Sequence, residues 1–105
     1  GYLSVQGKAG NLVEFVGRSP VPGHWQGLSI QSNSPQNSIE FAKFSHGGRD
    51  YPGMVELMRG NAKIQNCIFE QSASCGIYQD PNSTLTQSNN TFNQNVGGNI
   101  LSIYF

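Results

Sequence analysis

From Gly27 onward, short runs of alternating apolar and polar residues are separated by clusters of Gly, Pro, Asn and Ser. "LSIQ", "SIEFAKF", "MVELM", "AKIQNCIF" and "ILSIYF" alternate or carry β-branched and aromatic side chains, the pattern of short strands. No window keeps apolar residues at i, i+3, i+4 and i+7 for ten residues, so long helices are not expected. The intervening stretches, "GRSPVPGH", "QSNSPQNS", "HGGRDYPG", "DPNS" and "NVGG", have the composition of turns.

These runs recur. "NCIFEQSASCGIY" and "NNTFNQNVGGNI" each open on Asn, place Phe three residues later and carry Gly and Ile at or near the end. Phe44, Phe69 and Phe92 follow one another at intervals of 25 and 23 residues. Phe41, Asn66 and Asn89 precede them by three places, and Ala42, Cys67 and Asn90 by two. Gly27, Gly53, Gly76 and Gly98 form a second series, at intervals of 26, 23 and 22. A period of this length, holding short strands and tight corners, excludes propeller blades, which need about 40 residues or more per repeat. It also lacks the leucine framework of leucine-rich repeats. The expected architecture is all-β: a parallel β-solenoid of about four coils of 22–26 residues. Each strand then lies about 4.8 Å from its counterpart in the previous coil. The three phenylalanines are expected to form one internal file. Asn66 and Asn89 are expected at a corner, where Asn tolerates left-handed backbone, with their amides bonding along the axis as a ladder.

Composition narrows the picture. The chain has 105 residues, enough for one domain or a piece of one. Residues 1–105 are expected to be a single segment of a longer chain. Charged residues make up 11%, well below the roughly 25% of an average soluble domain. Lys plus Arg and Asp plus Glu are six each, so there is no electrostatic footprint for nucleic acid. No apolar run is long enough to span a bilayer. Cys67 and Cys75 fit no metal-ligand spacing and are expected to be small, buried, free thiols. Neither a metal nor a cofactor is expected.

"YLSVQGKAGNLVEF", "PGHWQGLSI", "NSIEFAKFSHGG", "NCIF" and "GIY" together resemble the right-handed parallel β-helix repeat proteins, the pectin-lyase-like superfamily. The likeness runs from Tyr2 to about Ile103 and is nearest to bacterial secreted or cell-surface members. It implies the right-handed form of the solenoid, a secreted or surface location and polysaccharide as the partner. Family lyases hold calcium on several acidic residues, and the hydrolases carry paired aspartates with a Gly-His-Gly segment. Here the acidic residues are scattered, and Ser45-His46-Gly47-Gly48 is not that segment. No catalytic residue carries over.

The candidate carbohydrate-binding residues are Trp25, Arg49, Asp50 and Tyr51. Trp25 in "PGHWQG" reads as a sugar-stacking platform or, preferably, as a ring packed over the Pro-Gly turn at the core edge. His24 reads as a solvated turn residue. "SHGGRDYPG" is the longest polar connection. There Arg49, Asp50 and Tyr51 offer a charged donor, an acceptor and an aromatic face, or simply an exposed loop with a weak ion pair. Glu40, Glu56 and Glu70 fall at different phases of the coil, against a catalytic carboxylate pair. The sequons at Asn82 and Asn89 read as incidental. The expected function is a non-catalytic β-helix module, carbohydrate-binding or structural. The alternative is a polysaccharide lyase, hydrolase or epimerase whose catalytic residues lie elsewhere. Unprotected strand edges at the coil ends predict end-to-end self-association or further coils.

Overall fold

The computed structural model describes residues 2–102 and is built from strands alone. Coil 1 contains β1 (Ser4–Gln6), β2 (Val13–Val16) and β3 (Leu28–Ile30). Coil 2 contains β4 (Ser38–Glu40), β5 (Ala42–Ser45) and β6 (Gly53–Leu57). Coil 3 contains β7 (Asn61–Gln65), β8 (Ile68–Glu70) and β9 (Cys75–Gln79), and coil 4 β10 (Thr84–Ser88), β11 (Thr91–Asn93) and β12 (Ile100–Ser102). The strands stack into three four-stranded sheets, β1-β4-β7-β10, β2-β5-β8-β11 and β3-β6-β9-β12. Every strand pairing is parallel. The expected four-coil solenoid is present. The end of the "ILSIYF" run, residues 103–105, lies outside the described residues.

The corners follow from backbone geometry. "SIEFAKF" and "AKIQNCIF" read as continuous strands, but each breaks at a residue with positive φ. Phe41, Asn66 and Asn89 have φ of 52°, 57° and 56°. One left-handed residue swings the chain from the first sheet into the second, a geometry Asn accepts more readily than most residues. Phe41 holds the same geometry without that advantage.

The axial amide ladder forms one residue away from its expected place. Asn90, next to the corner, donates from Nδ2 to the Ile64 carbonyl (3.0 Å) and accepts the Cys67 N–H on Oδ1 (2.9 Å). Asn95 bridges Phe69 O and Ser72 N in the same way, at 3.0 Å each. Asn37, buried in coil 2, donates to Ser32 O and Asn61 O and accepts from Leu3 N, at 2.8–2.9 Å. A corner residue must spend its conformation on the turn; its neighbour's side chain is the one aimed across the gap between coils.

The core is one narrow file. Phe44 and Phe69 are fully buried, and their rings stack at 5.1 Å centroid separation, 3° apart in plane. Phe92 continues the stack at 5.3 Å. Phe15 extends it at the other end, 4.8 Å from Phe44. The stack thus has four members, each contact contributing roughly 0.5–1.5 kcal/mol beyond burial. Around it lie Ile39, Ile64, Val55, Leu57 and Ile77, all at 0% exposure. The glycine series does not form a column. Gly53 pairs with Cys75, not Gly76, and the Leu28–Val55 register sets Gly27 beside Met54, not Gly53. Gly76 instead leaves room for an aromatic ring: a Cβ there would lie 2.8 Å from Phe92 Cδ1.

Candidate functional site: the outer face of the third sheet

The connection after β2, residues 17–27, lies along the side of coil 2. Gly23 N, His24 N and Trp25 N donate to the carbonyls of Gly47 and His46, and Gly48 N and Arg49 N return bonds to Gln26 O and Trp25 O. Trp25 is therefore held by its backbone on both sides. Its indole N–H donates to Ser45 O at 2.7 Å, and the half-buried ring packs against the core. Gly47 is the small residue beneath it: a Cβ there would come within 3.0 Å of Trp25 Cε2 and 2.9 Å of Met54 Cγ. The remaining indole surface lines an open groove of about 320 Å³ with Glu14, Phe15 and Val16. His24 is exposed, as a turn residue should be.

Arg49 and Asp50 project from the connection between β5 and β6. Their side chains are 57% and 73% exposed, and Arg49 Nε stands 4.0 Å from Asp50 Oδ2. So loose and wet a pair adds little stability. Tyr51 is half-buried. Backbone bonds bring Trp25 and Arg49 together, while the indole turns inward and the guanidinium outward.

The three glutamates separate onto three sheets: Glu40 on β4, Glu56 on β6 and Glu70 on β8. They form no carboxylate pair. Glu70 accepts from Lys43 Nζ (3.1 Å) and Ser45 Oγ (3.2 Å) on the outside of the second sheet. Glu56 is different. It alternates with the buried Val55 and Leu57, so it faces outward from the third sheet, yet it is only 7% exposed. Ser29 and Tyr78 flank it in register on the adjacent coils. The ion pairs among the described residues are Lys43–Glu70 and Arg49–Asp50, and neither includes Glu56. With no ion-pair partner among the described residues, its carboxylate keeps acceptor capacity for a group from outside. The alternation of "MVEL" places Glu56 outward; no feature of the sequence marks its burial.

The thiols are free and buried. Burial pushes both above the ordinary cysteine value. Sγ of Cys67 donates to Gln65 O (3.2 Å) and Sγ of Cys75 to Pro52 O (3.0 Å). Thiols so held are poor nucleophiles, because the thiolate is the reactive form. Among the described residues, no group of three or more His, Cys, Asp or Glu is placed to hold a metal ion.

A family model described as "Right handed beta helix region" matches residues 10–104. The chain belongs to the right-handed β-helix family. No curated protein matches it, and no solved structure does. The β-helix assignment agrees with the parallel pairing of all three sheets and with the stacked phenylalanines. It carries a fold and no chemistry, since function on such a scaffold resides in the side chains it displays.

Proposed function

We propose that this β-helix is a non-catalytic module that binds carbohydrate across the outer face of its third sheet, in a secreted or cell-surface protein of the pectin-lyase-like type. The observation that carries this reading is Glu56: a residue 7% exposed that faces outward between Ser29 and Tyr78, its carboxylate without an ion-pair partner among the described residues. Sugar hydroxyls suit such an acceptor, and a phenol ring offers a flat surface to sugar C–H faces. Arg49, Asp50 and Tyr51 lead into β6, the strand that carries Glu56. Glycoside hydrolysis generally uses two carboxyl groups roughly 5–10 Å apart, and Glu40 and Glu70 are displayed on other sheets. An uncompensated carboxylate also repels uronates, so neutral glycans are the preferred class.

The test is calorimetric titration of the chain with a neutral soluble galactan, a neutral xyloglucan and polygalacturonate. Binding to at least one neutral polymer is expected, weakened tenfold or more in Glu56→Gln and in Tyr78→Ala. No binding to either neutral polymer, or unchanged affinity in Glu56→Gln, would overturn the assignment.

A further inference from the structure

The third sheet is nearly empty of charge: of the residues in β3, β6, β9 and β12, Glu56 alone is charged. The basic residues that bracket β6 are set against aspartates of their own. Arg49 stands 4.0 Å from Asp50, and the Arg59 N–H donates to Asp80 Oδ2 at 3.1 Å. Lys43 is committed to Glu70 on the second sheet. Glu56 itself is more than nine-tenths buried, yet its carboxylate has neither an ion pair nor a hydrogen bond among the described residues. The buried side-chain polar atom without a partner there is His46 Nδ1, so the unpartnered Glu56 oxygens are open to the surface. About 4.8 Å to either side along the axis, in register and on the same face, stand the half-buried Ser29 and Tyr78.

We propose that this face recognises the free amino group of an amino sugar, so that its tightest ligand is a glycan carrying unacetylated amines. The inference rests on the glycan reading above and narrows it. A neutral sugar hydroxyl can donate to Glu56, but it leaves the charge of the carboxylate unbalanced. An ammonium supplies donor and charge together, and such charge-assisted bonds are about twice as strong as neutral ones. Its several N–H donors suit the set displayed here. The carboxylate and the Ser29 hydroxyl accept, and the face of a phenol ring such as that of Tyr78 attracts a cation. An N-acetylated sugar offers only an uncharged amide N–H. A divalent metal ion fits less well, because it needs several oxygen ligands. Among the described residues, no group of three or more His, Cys, Asp or Glu is placed to supply them.

The test compares two tetrasaccharides with one backbone, a glucosamine tetramer and its fully N-acetylated counterpart. Each is titrated calorimetrically into the 105-residue chain, in a mildly acidic, low-salt buffer that keeps the amines protonated. The glucosamine tetramer is expected to bind at least tenfold tighter. Added salt should narrow the gap in the unmutated chain, since the extra affinity is electrostatic. Glu56→Gln, which keeps the shape and removes the charge, should close the gap to about twofold with an unchanged strand circular-dichroism signal. No gain from the amines, in a chain that does bind a neutral polymer, would overturn this inference and leave the glycan reading standing. A full gap persisting in Glu56→Gln would place the ammonium elsewhere and overturn it as well. Tetralysine binding as tightly as the glucosamine tetramer would overturn the amino-sugar assignment in favour of a basic peptide. Silence toward both tetramers and both neutral polymers would remove the glycan reading and this inference with it.

Discussion

Coil 4 returns to the position of coil 3 after 23 residues, at Phe69 and Phe92; coil 2 returns to that of coil 1 only after 29, at Phe15 and Phe44. The ring geometry hardly differs, with centroids 5.3 and 4.8 Å apart. The extra length in coil 1 goes into connections. Ahead of that interval, residues 7–12 between β1 and β2 lengthen coil 1 further and are closed by an antiparallel Lys8–Asn11 bridge, where later coils turn on one left-handed residue. Residues 17–27 fold back over coil 2 and seat Trp25. What is constant from coil to coil is therefore the inward ring and the strand register; the number of residues spent outside the core is free to vary.

The largest effect expected from disturbing this comparison is at the rings. Phe69→Ala should cost about 3–5 kcal/mol, because the ring is fully buried between two others. Phe15→Ala, at the half-buried end, should cost clearly less. Urea denaturation of both variants checks this, and equal losses would mean that coil 1 is as enclosed as coil 3.

Next comes the amide that ties the irregular coil to the regular ones. Asn37→Ala removes the acceptor of Leu3 N and the amide donor to Ser32 O and Asn61 O, with Ser32 O keeping its bond from Asn61 N, at a cost of about 1–3 kcal/mol. A loss no larger than that of the exposed Gln36→Ala would show that the bridge carries no weight.

The corners come third. Asn66→Ala keeps the Cβ in left-handed backbone but loses the polar side chain that lets Asn tolerate it, for about 1 kcal/mol. Asn66→Gly should cost less than Asn66→Ala, and the reverse order by thermal melting would contradict the corner's role.

The smallest effect is a pH dependence. Asp80, in the turn between coils 3 and 4, accepts from Ser83 Oγ (2.6 Å), Arg59 N and Asn82 N. The Ser83 bond leads these in holding its carboxyl below the usual aspartate range. A lowered native value means that its contribution is complete above the unfolded value and lost as pH falls through the native one. Asp80→Asn should flatten the acid limb of the stability curve at that point, and superimposable wild-type and variant acid titrations would remove Asp80 from the account.

Legibility followed the same division. The Phe44–Phe69–Phe92 file could be read directly because coils 2 to 4 repeat at nearly constant spacing. Phe15 was hidden by loops of arbitrary length. Asn66 and Asn89 were visible as corner residues, but the ladder passed to Asn90 and Asn95, a shift of direction that only backbone coordinates define. Trp25 is a conspicuous aromatic whose exposure depends on Ser45 and Gly47, twenty residues away. Glu56 presented the opposite problem: an ordinary strand glutamate by pattern, enclosed by residues of adjacent coils.

The amino-acid order alone determined that this chain winds as stacked strands, since alternation and a recurring ring are local properties repeated along the chain. Tertiary structure decided which residues became neighbours across coils: the register, the fourth phenylalanine, the inward turn of Trp25 and the enclosure of Glu56. Those outcomes depend on loop lengths and on contacts between distant segments, and such contacts exist only once the coils have closed on one another.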